Sequence, residues 1–251
     1  MKKEQIALQV WTLRDLMEND FVKCFKETAK IGYKGVEIGD TPDMDIRAFK
    51  KLFADLGLKC VGYHIALDLL ENDLNRVIDR HLELGTEYIV VPWLDESRRK
   101  DKSAYIRTRD LIASIAKKLS SNGFVVCYHN HAFEFDKFDG IYGYDILRES
   151  FSQGTFGAEL DVYWVAYGKE DPVKYIDMLA GRVPLIHMKD MEANENRDFC
   201  EVGYGMLDMP RIVRAGDKAG AKWYIVEQDV CKRDPLESVR MSYNYLVSLA
   251  E

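Results

Sequence analysis

Short apolar runs alternate with amphipathic stretches along the whole chain, eight times over. The runs are Ile6–Val10, Gly35–Ile38, Lys59–His64, Tyr88–Trp93, Phe124–His129, Phe156–Val162, Pro184–Met188 and Trp223–Gln228. Their length and β-branched content predict buried parallel strands. The stretches between them follow a helical period. Over Phe21–Ile31, for example, Val22, Phe25, Ala29 and Ile31 fall near one face and Lys23, Lys26, Glu27 and Lys30 elsewhere. Gly32, Gly57, Gly85, Gly123 and Gly220 stand where a helix should close and the chain turn toward the next strand. Asp171-Pro172 and Asp234-Pro235 read as an N-cap followed by a first-turn proline. Strict alternation of this kind implies a parallel sheet. Eight units in 251 residues close a barrel more naturally than they extend an open sheet. The expected fold is α/β, one (β/α)8 TIM barrel spanning residues 1–251. A doubly wound sheet is the structural alternative, weakened by the absence of GxGxxG after the first strand.

In such a barrel the chemistry sits where strands end and the βα loops converge. The expected strand ends here are polar: Gln9 and Trp11, Glu37, His64, Trp93, then His129-Asn130-His131 with Glu134, Asp161, His187 with Lys189-Asp190, and Glu227-Gln228-Asp229. Four of the five histidines belong to this set; His81, inside a helical stretch, reads as a surface or packing residue. Each residue alone is as readily a satisfied polar group, but scattered structural histidines would not all choose one end of a barrel. Glu134, Asp161, His187 and Glu227 follow four consecutive strands. Three carboxylates and an imidazole suit one divalent ion, Mn2+, Mg2+, Co2+ or Zn2+. No cysteine joins them, which disfavours a structural zinc site. Such a site polarises a carbonyl and its neighbouring hydroxyl, acidifies the adjacent C–H and stabilises an enediolate. A carboxylate or histidine on either side of that carbon could then move the proton. The competing reading pairs these carboxylates with Lys189 and other cations.

Composition narrows the partners. The chain is 47% hydrophobic and 31% charged, with a formal net charge of -7, which argues against a polyanionic partner such as nucleic acid. The one basic run, Arg98-Arg99-Lys100 with Lys102, reads as a solvated loop and helix start. Five cysteines without a CxxC pair suit reduced thiols. No apolar run approaches the roughly 20 residues of a membrane span, and the first residues pass straight into a strand-like run without a signal peptide's apolar region. A cytoplasmic location is expected.

At these polar residues the sequence resembles the xylose isomerase-like TIM barrels, the sugar phosphate isomerase/epimerase superfamily. The similarity covers nearly the whole chain. It runs through Ile31-Gly32-Tyr33-Lys34-Gly35-Val36-Glu37, Tyr128-His129-Asn130-His131 with Glu134-Phe135 (an HNHxxEF variant), Leu160-Asp161, Ile186-His187-Met188-Lys189-Asp190 and Gly203-Tyr204-Gly205. The resemblance implies metal ligation by Asp161, His187 and Glu227. Many relatives place their first glutamate at the end of strand five, where this chain has His129. That role is assigned to Glu134, with His129 the competing ligand. It further implies Glu227, His129, His131 and Glu134 as the catalytic set, a histidine replacing one of the epimerases' two glutamate bases. His64, Lys189, Trp11, Glu37 and Trp93 are expected to bind substrate; Tyr163, Trp164 and Phe133 are further aromatic candidates near the mouth.

The first functional expectation is a metal-dependent isomerase or epimerase acting on a sugar or polyol. The second is a dehydratase or lyase on a keto-sugar, keto-inositol or 3-keto-glycoside, since similar departures occur in those branches. An apurinic-site endonuclease, which shares the fold, is opposed by the acidic charge and by only five histidines. A non-catalytic sugar-binding barrel is the remaining alternative. Relatives are often dimers or tetramers, which leaves a homo-oligomer open. The absence of a phosphate-gripping loop beyond Gly203-Tyr204-Gly205 leans toward an unphosphorylated substrate.

Overall fold

The computed structural model describes residues 1–39 and 45–250. Eight strands, β1 (Ile6–Gln9), β2 (Gly35–Ile38), β3 (Lys59–His64), β4 (Tyr88–Val91), β5 (Val125–His129), β6 (Phe156–Asp161), β7 (Leu185–Met188) and β8 (Trp223–Val226), close into a parallel barrel, β8 pairing with β1. Helices surround it, as the TIM architecture requires. Several strands stop short of the apolar runs because their ends leave the ladder for other partners. Val10 opens a 3-10 turn, Asp161 caps the helix Val162–Tyr167, and the Gln228 amide donates to Thr12 Oγ1.

Helix boundaries follow the expected signals. Asp171 and Asp234 accept from the first-turn amides of helices that begin with Pro172 and Pro235. Gly57 and Gly220 close their helices in the left-handed conformation, which a side chain would strain. The helix Arg14–Ile31 is interrupted at Asp20 (φ -160°, ψ 85°), whose carboxylate accepts from the Lys23 amide and so caps the stretch that the sequence marks as helical. Its buried face is shifted from expectation. Cys24, Phe25 and Thr28 are buried while Val22, Ala29 and Ile31 are only half-buried. The reason is Phe25, which packs edge-on against Phe49 and Phe53 of the next helix, Ile46–Leu56, and sets the helix rotation.

The barrel interior explains where the polar residues go. A separate apolar cluster of Ala7, Val61, Tyr88, Val90, Cys127, Leu185 and Ile225 forms its floor. Side chains alternate along a strand, so two residues further on the same inward rows present Gln9, His129, His187 and Glu227. The sequence thus fills the bottom of the barrel with hydrocarbon and its C-terminal mouth with titratable groups.

Two side chains of the basic run are engaged within the fold. Arg98 lies within 2.5 Å of Asp68 and 2.7 Å of Glu71, and Arg99 stacks over Phe133. Among the described residues, no helix is long and apolar enough to cross a membrane, and all five cysteines are free thiols.

His81 is a packing residue. It is 2% exposed, lies edge-on to Tyr63, and has Nδ1 3.3 Å from Thr86 Oγ1. Burial, aided by Arg80, pushes its pKa down to about 4. A folded pKa below the unfolded value of about 6.5 contributes stability above that pH, lost as pH falls through 4. On the order of 3 kcal/mol should therefore disappear across this window. Urea unfolding of His81→Gln should show a shallower acid slope than the parent chain; parallel slopes would refute this assignment.

Candidate metal centre

The mouth of the barrel gathers the histidines that the sequence placed at strand ends. The His129 and His187 ring centroids lie 4.5 Å apart, His64 and His129 5.4 Å, and His129 and His131 5.0 Å. Around them converge five carboxylates, Glu37, Glu159, Asp161, Glu227 and Asp229, against one ammonium, Lys189. Two overlapping groups bring their ligand atoms within 4.8 Å of one another: His129, Asp161, His187 and Glu227, and His64, His129, Glu159 and His187.

His187 is gripped on both sides. Nδ1 lies 2.9 Å from Glu227 Oε2, and Nε2 lies 2.6 Å from Glu37 Oε2 and 3.0 Å from Glu159 Oε1. Burial alone would discharge this ring, but Glu159 and Glu37 hold its pKa well above the usual imidazole value. His64 behaves alike: burial opposes its charge, Glu37 and Glu159 favour it, and its pKa rises to about 10. His129 is the opposite case. Burial, together with the charges of His187, His131 and Lys189, holds it well below the usual value and therefore neutral. A neutral ring donates once. With Nδ1 2.8 Å from Glu159 Oε1, that donor goes to Glu159, and the Nε2 lone pair faces Asp161 Oδ2 at 3.6 Å.

That confrontation is the test of whether a cation fits. Asp161 Oδ2 is buried without a hydrogen bond, although Lys189 Nζ stands 3.1 Å away. Its other oxygen caps the Trp164 amide, and the backbone amide of Asp161 is held by Asn130 Oδ1. Burial pushes the Asp161 carboxyl up to about 6 despite Lys189 and His187. An orphaned carboxylate oxygen opposite an imidazole lone pair calls for a positive centre between them. Bonds of about 2.0–2.2 Å place adjacent ligand atoms roughly 3–3.5 Å apart, close to the observed gap. Two imidazoles and two carboxylates suit a first-row divalent ion, for which His187 would give up the proton that Glu159 and Glu37 hold on it. The residues present therefore fit a metal.

Glu134 does not join them. It sits in a 3-10 turn, Phe133–Phe135, where Oε1 accepts from Tyr128 Oη at 2.5 Å and Oε2 from the His131 amide at 2.7 Å. Both oxygens are engaged inside the protein, while His129, the competing strand-five residue, stands in the cluster. Burial lifts the Glu134 carboxyl to about 7, and the Tyr128 hydrogen bond pulls it down only in part. Its role in this structure is to hold the HNH turn.

The other site residues divide clearly. Glu37 is buried; burial would raise its pKa, but His64 and His187 hold it well below the carboxylate range. Gln9 donates to it at 3.1 Å, and Gly62 leaves it room, since a Cβ there would meet Glu37 Oε1 at 2.2 Å. Lys189, 1% exposed, lies 2.7 Å from Glu227 Oε2 and 2.9 Å from Asp229 Oδ2. Burial disfavours its charge, yet Asp161, Glu227 and Asp229 keep it well above the usual lysine value. Glu227 is correspondingly ionised: burial would raise it, and Lys189 and His187 take it far below. His131 stacks on Phe133, with Trp93 edge-on; its Nδ1 is buried without a hydrogen bond, and burial and Lys189 push it down to about 3. Trp11 and Trp93 are half-exposed, and Trp11 carries Arg14 over its ring.

Glu159 is the residue that the sequence reading passed over. It touches three of the four mouth histidines, yet it sits in the middle of an apolar run. The available signal was period two: Glu159 shares a strand face with Asp161. The Gly203-Tyr204-Gly205 loop also resolves. The Gly203 and Gly205 amides both donate to Asp190 Oδ2, so a carboxylate of the protein already takes the anion's place there.

Comparison with known proteins agrees with this architecture. A family model described as the xylose isomerase-like TIM barrel matches residues 25–246. An inosose dehydratase of Clostridium perfringens is 21% identical, the alignment covering 96% of this chain and 95% of the relative. A solved sugar phosphate isomerase/epimerase from Parabacteroides distasonis is 23% identical, with a TM-score of 0.87 over 98% of this chain and 95% of that one. A probable 3-DHS dehydratase from Bacillus anthracis superposes with a TM-score of 0.75 at 13% identity, over 98% of each chain. At such identities the two superpositions speak for the fold alone. The family match spans most of the sequence, and the chain belongs to the xylose isomerase-like TIM barrels.

Proposed function

We propose that this protein is a divalent-metal-dependent enzyme that removes a proton next to a carbonyl of a keto-sugar, keto-inositol or 3-keto-glycoside and then expels the β-substituent. The observation that carries elimination is the strand-five position. His129 stands in the cluster and Glu134 is tied to Tyr128 and the His131 amide, so the end of strand five offers no glutamate for the part opposite Glu227 in a two-glutamate shuttle, and Glu37 and Glu159 are already engaged by the mouth histidines. The likeness to inosose dehydratases over nearly the whole chain supports the same reading.

An ion held by His129, Asp161, His187 and Glu227 would supply a Lewis acid that polarises the carbonyl and acidifies the neighbouring C–H. Glu227, kept ionised by Lys189 and His187, takes the proton from carbon. Lys189, charged and buried, balances the negative charge that develops on oxygen. The leaving oxygen gains a proton and departs as water or an alcohol, with the neutral ring of His131 placed to relay it at Nδ1. The second reading, an isomerase or epimerase, is favoured by that same unbonded Nδ1, which offers the second base such a reaction needs.

The two readings separate in D2O. Metal-loaded protein given a keto-inositol, a 3-keto-glucoside or a ketohexose should exchange the α-hydrogen and release water or alcohol, with growth of conjugated-ketone absorbance. Exchange without release would overturn elimination in favour of isomerisation. No exchange on any of the three would overturn both.

A further inference from the structure

Beside the metal centre lies a second cavity of about 350 Å³ that the chemistry above does not use. Its walls include Tyr163, Trp164, Tyr167, Phe199 and Val230. Tyr163 stacks on Phe199 with centroids 4.3 Å apart and planes at 22°, and Tyr167 continues the stack at 25° to Tyr163. Trp164 stands across it, at 88° to Tyr163. The corner is open: Tyr167 is 40% exposed and Val230 58%. Large apolar groups left uncovered beside a polar site mark a surface that a ligand covers.

The cavity shares its inner wall with the metal centre. The Trp164 amide is held by Asp161 Oδ1, Lys189 Nζ lies 5.8 Å from the Trp164 ring, and Val230 follows Asp229, a partner of Lys189. The outer wall is held in shape. Phe199 is paired with Met191 in a two-stranded hairpin. Arg197, at φ 54° a non-glycine residue in the left-handed region, accepts the Tyr163 hydroxyl at its carbonyl and donates its guanidinium to the Tyr167 carbonyl. At the rim Lys232 is paired with Asp198 and Glu192, and the Arg197 guanidinium lies 5.4 Å over the Tyr167 ring, so aromatic faces make up most of the inner surface.

We propose that this aromatic corner binds the leaving group of a glycoside, an aryl aglycone whose sugar ring occupies the metal centre. The proposal rests on the elimination reading and narrows it, from a free keto-inositol to a glycoside with a flat apolar substituent. A cavity of this volume, at the low end for small-molecule sites, takes one or two rings.

The test reads binding without turnover. Metal-loaded protein is titrated with phenyl β-glucoside and methyl β-glucoside by calorimetry. The phenyl compound should bind at least about tenfold tighter, in line with stacking on aromatic faces. Tyr167→Ala and Val230→Asp, both at exposed positions, should each bring the two glucosides to within about twofold while leaving methyl glucoside affinity unchanged. Equal binding in the parent chain, no binding of either glucoside, or a phenyl preference that survives both substitutions would overturn the subsite. These outcomes are separate from the D2O experiment, which can fail or succeed on a keto-inositol whatever the corner binds.

Discussion

Asp161→Asn is expected to weaken divalent-metal binding by at least about 10²-fold and to lower turnover on the order of 10³-fold, the effect of several kcal/mol of lost Lewis-acid stabilisation. The barrel should stay folded. Asparagine can still accept the Trp164 amide at Oδ1, and Asn130 still holds the residue-161 backbone. What changes is the second atom, the buried oxygen that faces the His129 lone pair at 3.6 Å. An amide there offers either a weaker acceptor or an N–H donor, and neither replaces a carboxylate. Calorimetric titration with Mn2+ and Zn2+, beside steady-state rates, measures both effects. Unchanged metal affinity would remove Asp161 from the ligand set.

Lys189→Met should produce the second large effect, and its size depends on the metal. The ammonium stands within 3.1 Å of Asp161, 2.7 Å of Glu227 and 2.9 Å of Asp229. Methionine keeps the length of the side chain but leaves three carboxylates facing one another. Removing one partner from a buried charge cluster costs about 3–5 kcal/mol. The metal-free variant should therefore melt well below the parent chain in EDTA, and added Mn2+ should recover much of the difference, because a divalent ion supplies the missing charge to the same oxygens. Turnover should remain about 10²-fold down even when metal is saturating, since Lys189 also balances charge on the substrate. Equal melting temperatures in EDTA would contradict the electrostatic account of Lys189.

Most of the barrel was legible because its strands are buried on both faces and its helices are amphipathic. The floor residues Ala7, Cys127, Leu185 and Ile225 and the polar residues two positions later share rows that alternation alone defines. Gathering His64, His129, His131 and His187 needed no more than strand ends. Two things were not legible. Glu159 sits between apolar neighbours, and a carboxylate there is explained only by the three imidazoles that topology brings to it from β3, β5 and β7. Glu134 carries the motif's acidic position, yet its orientation is decided by Tyr128, whose hydroxyl reaches it from the strand before the turn. Motif spacing places a carboxylate near a site; which way it faces depends on hydrogen bonds the spacing does not contain.

Anomalous diffraction from a crystal of this protein soaked in Mn2+ tests the central claim most directly. The account predicts one strong peak at bonding distance, about 2.0–2.3 Å, from His129 Nε2, the Asp161 carboxylate, His187 and Glu227. Glu134 should still be hydrogen-bonded to Tyr128. A peak coordinated by Glu134 with His129 turned away, or no peak at the barrel mouth at all, would contradict it.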